Sequence, residues 1–201
     1  MFGKILFVVY LIVFLILAIN PYDRAVWFAE NAPVWITVLC IITIHLYYHR
    51  FSNMALFFMS IFIFLHTIGG HYTFARVPFD VVTQFFGFER NHYDRVAHFS
   101  VGFYAFAIAE ILLAKRLINS KFILYSYPLF VILAIAAIYE LFEWQFAIMF
   151  DSNAGVEVLG SQGDIWDAQK DMLSDGLGAI FTMVIFRFLH YKQIYFDRSS
   201  K

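Results

Sequence analysis

The chain has one cysteine, Cys40, and it lies inside an apolar run. That excludes a disulfide within the chain and a cysteine-based zinc site. Charge is scarce: 14% of the 201 residues are charged, against about 25% in a soluble domain. The net charge of −1 leaves no basic footprint for nucleic acid. No serine sits in a sharp glycine-flanked turn beside a histidine, so the pattern of serine nucleophile chemistry is missing. There is no internal repeat, no low-complexity tract and no stretch that reads as a soluble domain.

What is abundant is apolar surface. Hydrophobic residues make up 62% of the chain and aromatics 21%. A soluble domain of this size could not hide that composition, because a small domain keeps much of its surface in water. A bilayer span needs about 20 mostly apolar residues, and six such segments are present: 2–19, 32–48, 54–68, 96–113, 122–147 and 172–190. In the first, Lys4 precedes an apolar run, as in a signal peptide, but no small-x-small cleavage site follows it, so it reads as an uncleaved span. Gly69-Gly70 reads as the break that ends the short third span. The expected architecture is an all-α polytopic membrane bundle of about six transmembrane helices, one integral membrane domain over 1–201.

Lys4, Arg50, Lys115, Arg116, Lys121, Arg187, Lys192, Arg198 and Lys201 mark one side of this topology. By the positive-inside rule that side is cytoplasmic, and six spans then put both termini there. The acids sort the other way. Of 15 Asp and Glu residues, only Glu110 and Asp197 fall on the cytoplasmic side. Glu110, beside Lys115 and Arg116, reads as an ordinary interfacial pair. The connections 69–95 and 148–171 are both external, and loops longer than about 12–15 residues are often functional.

Three acidic motifs and one histidine converge on the outer boundary. His92-Tyr93-Asp94-Arg95-Val96-Ala97-His98-Phe99 opens the fourth span, and Asp94 and His98, four apart, share a helix face. They form a two-ligand unit for a divalent metal, or a carboxylate orienting an imidazole for proton transfer. The plainer reading of Asp94 is a cap favoured by the helix dipole. Glu140 and Glu143 lie three apart in the outer half of the fifth span. They would repel unless a cation or a shared proton separates them. Asp167, Asp171 and Asp175 recur every four residues into the sixth span, an acidic stripe suited to an oxygen-held cation, or a solvated helix start. Gly176 and Gly178 after it allow close helix contact. His71, after Gly69-Gly70, is placed to swing toward the same site, whereas His66, one turn deeper, reads as a hydrogen-bonded core residue. Arg76, Arg90 and Arg95 flank the cluster, as partners for an anion or as counter-charges to the acids.

These residues carry a resemblance. His66-Thr67-Ile68-Gly69-Gly70-His71-Tyr72-Thr73, Arg90-Asn91-His92-Tyr93-Asp94-Arg95-x-x-His98-Phe99 and Gly163-Asp164-x-Trp166-Asp167-x-x-Lys170-Asp171-Met172 resemble the YjdF-like family of bacterial inner-membrane proteins over nearly the whole chain. More loosely, Asp94-Arg95-x-x-His98-Phe99, Glu140/Glu143 and Asp167-x-x-x-Asp171 follow the order seen in VanZ-like membrane proteins, with Arg95 where those have a lysine. Both resemblances imply fold and an inner-membrane location rather than a reaction.

The leading expectation is a membrane-embedded, metal-dependent hydrolase or group transferase acting on a lipid or lipid-linked substrate at the outer face. The candidate metal ligands are His71, Asp94, His98, Asp167, Asp171 and Asp175, and the ion is Zn, Mg, Mn or Fe. Glu140 or Glu143 would be the general base, and Arg95 would steady the substrate's anionic part. The alternatives are a proton- or cation-handling transporter and an accessory membrane protein with a structural polar network. A transporter site would lie near the midplane, with polar residues continuing inward.

Overall fold

A computed structural model describes residues 1–149, 155 and 158–195. Asp151, Glu157, Asp197, Arg198 and Lys201, which enter the charge pattern above, and part of the 148–171 connection lie outside the described residues. The elements are α1 (Phe2–Leu17), α2 (Arg24–Tyr47), α3 (Asn53–Tyr72), α4 (Asp80–Phe86), α5 (Tyr93–Val101), α6 (Tyr104–Ala114), α7 (Lys121–Met149), α8 (Asp167–Leu189) and α9 (Tyr191–Tyr195). The protein is an all-α membrane bundle. Five stretches are long and apolar enough to cross a bilayer: α2, α3, α5 with α6, α7 and α8. α1 is as apolar but shorter, at 16 residues.

Local chemistry sets the helix ends. Asp23 caps α2 by accepting from the backbone N–H groups of Ala25 (2.8 Å) and Val26 (2.9 Å), which satisfies donors that have no partner in the first turn. α2 therefore starts two turns before residue 32, and Pro33 lies inside it. Ser52 caps α3 through the Ala55 N–H, at 3.1 Å. α4 ends at Gly87, whose φ of 67° is left-handed. α7 has 29 residues, about 44 Å at 1.5 Å per residue, so it overruns a hydrocarbon core of ~30 Å and carries its outer end to the surface.

The glycine pair at 69–70 does not break α3. The helix runs through both to Tyr72. A Cβ at Gly69 would strike the Phe74 ring, and one at Gly70 would press on Glu30 and Asn31 of α2. The pair is there for close packing rather than for flexibility.

The main core lies in the inner half, where Phe58 of α3, Phe103 and Phe106 beside and within α6, Leu124 and Ile132 of α7, and Phe186 of α8 are buried. α5 and α8 make the most extensive helix contact in the bundle. They cross at Gly102 and Gly178. A side chain at Gly102 would collide with the backbone of Asp175, Gly178 and Ala179, and one at Gly178 with the Phe99 carbonyl. The fourth span turns at this point, from α5 into α6. α1 packs on α3, and Tyr10 of α1, Val34 of α2 and Ile63 of α3 are buried in one cluster there.

Glu110 corrects the expectation of a simple interfacial pair. It is buried, and its partners are not Lys115 or Arg116. It accepts from His49 Nε2 (2.9 Å), the Ser52 backbone N–H (2.9 Å) and the Ser52 hydroxyl. A carboxylate of α6 thus clasps the turn between α2 and α3 and holds the α3 cap. Lys115 instead lies over the Tyr48 ring, 4.9 Å from its centroid.

Two outcomes follow from this packing. Gly102→Val or Gly178→Val should cost about 3 kcal/mol or more, because backbone cannot yield to a new side chain. Gly176→Ala, which meets only the Leu133 side chain at 3.2 Å, should be far milder; thermal midpoints by fluorescence size-exclusion chromatography in mild detergent compare them. Glu110→Ala should cost about 2–3 kcal/mol through three lost charge-assisted hydrogen bonds, while Arg116→Ala should be nearly neutral in the same assay. Equal effects of the two would refute the clasp.

Candidate functional site

α5 enters the bundle with its first two turns facing the first two turns of α8. The approach is fixed before α5 begins. Asn91 donates its side-chain amide to the carbonyls of Ala75 (3.1 Å) and Val77 (2.8 Å) and accepts from the Tyr93 N–H at 2.9 Å. Gln162 and Asn91 bond reciprocally across to the turn before α8. The Tyr93 hydroxyl donates to the Leu65 carbonyl of α3, at 2.8 Å. With the entry pinned and the glycine crossing below, Asp94, Arg95 and His98 can only face α8.

The acids of α8 lie on one buried face: Asp167 is 7% exposed, Asp171 2% and Asp175 0%. His98, itself buried, lies in the centre. Its Nδ1 meets Asp175 Oδ2 at 3.2 Å, and its Nε2 lies 3.6 Å from Asp94 Oδ1 and 3.8 Å from Asp171 Oδ1. One ligand atom each from Asp94, His98 and Asp171 falls within 4.8 Å of the others. Asp175 Oδ1 and Glu140 Oε1 are buried and accept no hydrogen bond from the protein.

The arginines lie on the outer rim of this cluster. Arg95 pairs with both Asp167 and Asp171. Arg90 pairs with Asp167 Oδ1 at 2.7 Å and donates to the Ser161 carbonyl at 3.1 Å, but its Nε and Nη2 groups are buried without an acceptor. Asp164, outside the span, lies 2.6 Å from Lys170 Nζ. That hydrogen bond and the Trp166 N–H hold its carboxyl below the usual range. His92, also outside, is pushed toward the neutral imidazole by partial burial and by the charges of Arg90, Arg95 and Lys170.

α7 brings Glu140 and Glu143 to the same group. Glu140 lies within electrostatic reach of His98, Asp171, Asp94 and Asp175, and Glu143 within reach of Glu30, Glu140, Asp94 and His98. So Asp94, His98, Asp171 and Asp175 share one centre, Glu140 and Glu143 lie within electrostatic reach of it, and Arg95 and Asp167 form its rim. His71 is not brought there. Its Nδ1 donates to the Leu17 carbonyl at the end of α1, at 2.7 Å. The reason is the unbroken helix through Gly69-Gly70, which points His71 at α1. Arg76 is likewise elsewhere, donating to Thr73 Oγ1 (2.9 Å) and lying over the Tyr22 ring.

The sequence reading missed Glu30. It is 2% exposed and lies two turns inside α2. The Tyr139 hydroxyl donates to its Oε2 at 2.9 Å, and His66 Nε2 lies 3.1 Å from the same oxygen. The Tyr139 and His98 rings are 6.2 Å apart, so this buried triad abuts the main cluster. The signal was Asp23: an N-cap there makes Glu30 helical and intramembrane. The second span, drawn from residue 32, left it outside.

Comparison with known proteins agrees with this architecture. The family model described as "Predicted membrane protein (DUF2238)" matches residues 2–192. The inner membrane protein YjdF of Escherichia coli (strain K12) is 35% identical over 182 residues, covering 88% of this chain and 84% of that protein. No solved structure matches significantly. On a match across nearly its whole length, the chain belongs to the DUF2238 family and is a multi-pass inner-membrane protein.

Proposed function

We infer that the chain is a membrane-embedded, metal-dependent enzyme, a hydrolase or group transferase acting on a lipid or amphiphilic substrate at the outer face. The observation that carries this is the trio Asp94, His98 and Asp171, whose ligand atoms fall within 4.8 Å of one another in a buried setting. That spacing suits donors gathered around one ion at about 2.0–2.2 Å. The buried oxygen Asp175 Oδ1, which accepts no hydrogen bond from the protein, supports it independently. One imidazole among carboxylates favours Mg or Mn over Zn or Fe.

A bound divalent cation would polarise the scissile bond and ease deprotonation of water. The residues supply the rest. Glu140, with its unpartnered Oε1, takes the proton from the attacking water and returns it to the leaving oxygen of a phosphoester or acyl bond. Asp175 orients His98 through Nδ1, leaving Nε2 toward Asp94 and Asp171. Arg95 is held by two aspartates, so the free donors of Arg90 are better placed to meet a substrate anion. The triad of Glu30, His66 and Tyr139 stands beside this centre as a second proton-holding group. Between His98 and Glu110 the hydroxyls of Ser100, Tyr104 and Thr182 each donate to a backbone carbonyl and most of the remaining lining is apolar, which favours a surface enzyme over a conduit.

Metal content decides the matter. The protein, purified in mild detergent and equilibrated in turn with Mg, Mn, Zn and Fe(II), should bind one equivalent. His98→Ala and Asp94→Ala should weaken binding by more than about tenfold while eluting as folded protein. His49→Ala, at the other membrane face, should bind as the parent does. Full metal content in His98→Ala, or no binding of any of the four ions by the parent, would refute the assignment.

A further inference from the structure

Beneath the polar cluster lies a cavity of about 410 Å³. Its outer end is walled by His66, His98, Tyr139 and Asp175, and its inner end reaches Ile44, Phe51 and Ile111. Between them the wall is apolar apart from Thr37 and Tyr104, whose hydroxyl donates to the Met59 carbonyl. Three alanines on its wall, Ala97, Ala107 and Ala136, leave the space that larger side chains would fill. Pro33 of α2 also lines it, and a proline inside a helix removes a backbone hydrogen bond and disfavours straight packing.

The cavity is bounded by packed helix pairs on three sides: α2 on α3, α3 on α6, and α6 on α7. α2 and α7 have no comparable contact along it. On that side the wall residues Ile36 (64% exposed), Ile135 (48% exposed) and the exposed Cys40 face outward, toward lipid in a membrane. The cavity thus opens sideways into the hydrocarbon.

We propose that this cavity holds one hydrocarbon chain of an outer-leaflet phospholipid, entered between α2 and α7, with the chain's head end under His98 and Tyr139. The direction fits. His98 to Ile111 along the fourth span is at most about 20 Å at 1.5 Å per residue, because α5 gives way to α6 at Gly102, and it runs from the cluster toward the opposite membrane face, as a lipid tail in that leaflet runs. The volume is that of one drug-sized ligand, enough for one chain and not for two. An apolar slot with a few convergent polar groups at one end is the usual form of a ligand site. This reading rests on the cluster being an active site, and it names the substrate class: a phospholipid whose glycerol-proximal bonds lie beneath the cluster.

The test uses the full chain in vesicles of phosphatidylethanolamine and phosphatidylglycerol, doped with phosphatidylglycerol carrying a diazirine in one hexadecanoyl chain. After irradiation, peptide mass spectrometry maps the crosslinks. They should appear on the inner wall, at Phe62 and Ile108, as well as on lipid-facing Ile12 and Leu173. Ala136→Phe and Ala107→Phe should reduce the inner-wall crosslinks at least about tenfold, because a phenyl ring takes the chain's space in a close-packed interior, and leave those at Ile12 and Leu173 unchanged. Crosslinks confined to lipid-facing positions in the parent overturn the proposal, whether or not either variant folds. So do inner-wall crosslinks that persist in a folded variant. Metal content separates this from the reading it rests on: a chain in the cavity without metal sinks the enzyme, and metal without inner-wall crosslinks sinks the cavity.

Discussion

The contact between Gly102 and Gly178 is the constraint on which the rest depends. Neither position tolerates a Cβ, because backbone of the other helix occupies the space. Inside a bilayer there is no hydrophobic drive to bring helices together, so close backbone approach is what small residues supply. Here it brings α5 and α8 close enough for side chains three to four residues outward to interlock. His98 is one turn above Gly102 and Asp175 one turn above Gly178, and they meet at 3.2 Å. A wider crossing would leave an imidazole and two buried carboxylates facing lipid, which is expensive in a medium without water.

The two ends of the bundle handle buried charge differently. At the inner end, Glu110 accepts from His49 and twice from Ser52, and those bonds fix a turn and a helix cap. That is a structural use of a carboxylate, complete within itself. At the outer end, acids outnumber their partners. Asp164 and Asp167 are matched by Lys170, Arg90 and Arg95 at the rim. Deeper in, Asp94, Asp171 and Asp175 all crowd one histidine.

Much of this was legible in the sequence, and the parts that were not have physical reasons. The four-residue spacings Asp94/His98 and Asp167/Asp171/Asp175 put each set on one helix face, and alternation of span direction put those faces at one depth. Gly178 was readable as a close-contact residue, but its partner Gly102 was not, since a crossing pairs residues far apart in sequence. Three errors share a cause. His71 and Glu110 were placed by reading glycine and charge as boundaries of apolar runs, and Glu30 was passed over because the second apolar run was begun only at residue 32. In a packed bundle those residues sit inside helices: Gly69 and Gly70 because Phe74 and Glu30 press on them, Pro33 because α2 was already capped at Asp23. Intrinsic preference for breaks lost to tertiary packing.

The imbalance at the outer end also bears on whether that cluster exists only to hold helices. Removing a carboxylate from water costs several kcal/mol, and a buried ion pair repays it only when geometry and further hydrogen bonds are good. A purely structural network is therefore expected to match each acid with donors, as Glu110 is matched. The deep acids are matched only in part. Arg95 reaches Asp171 but is shared with Asp167, Asp175 Oδ1 and Glu140 Oε1 accept nothing from the protein, and His98 lies among Asp94, Asp171 and Asp175. One imidazole and one shared guanidinium leave these carboxyl groups underpaired in a low dielectric. Such a group is stable only with protons on some acids or with an added cation among them. Either way the cluster must hold protons or an ion beyond what its own side chains supply. The apolar cavity opens directly below His98 and Asp175, where the head end of the proposed lipid chain would lie.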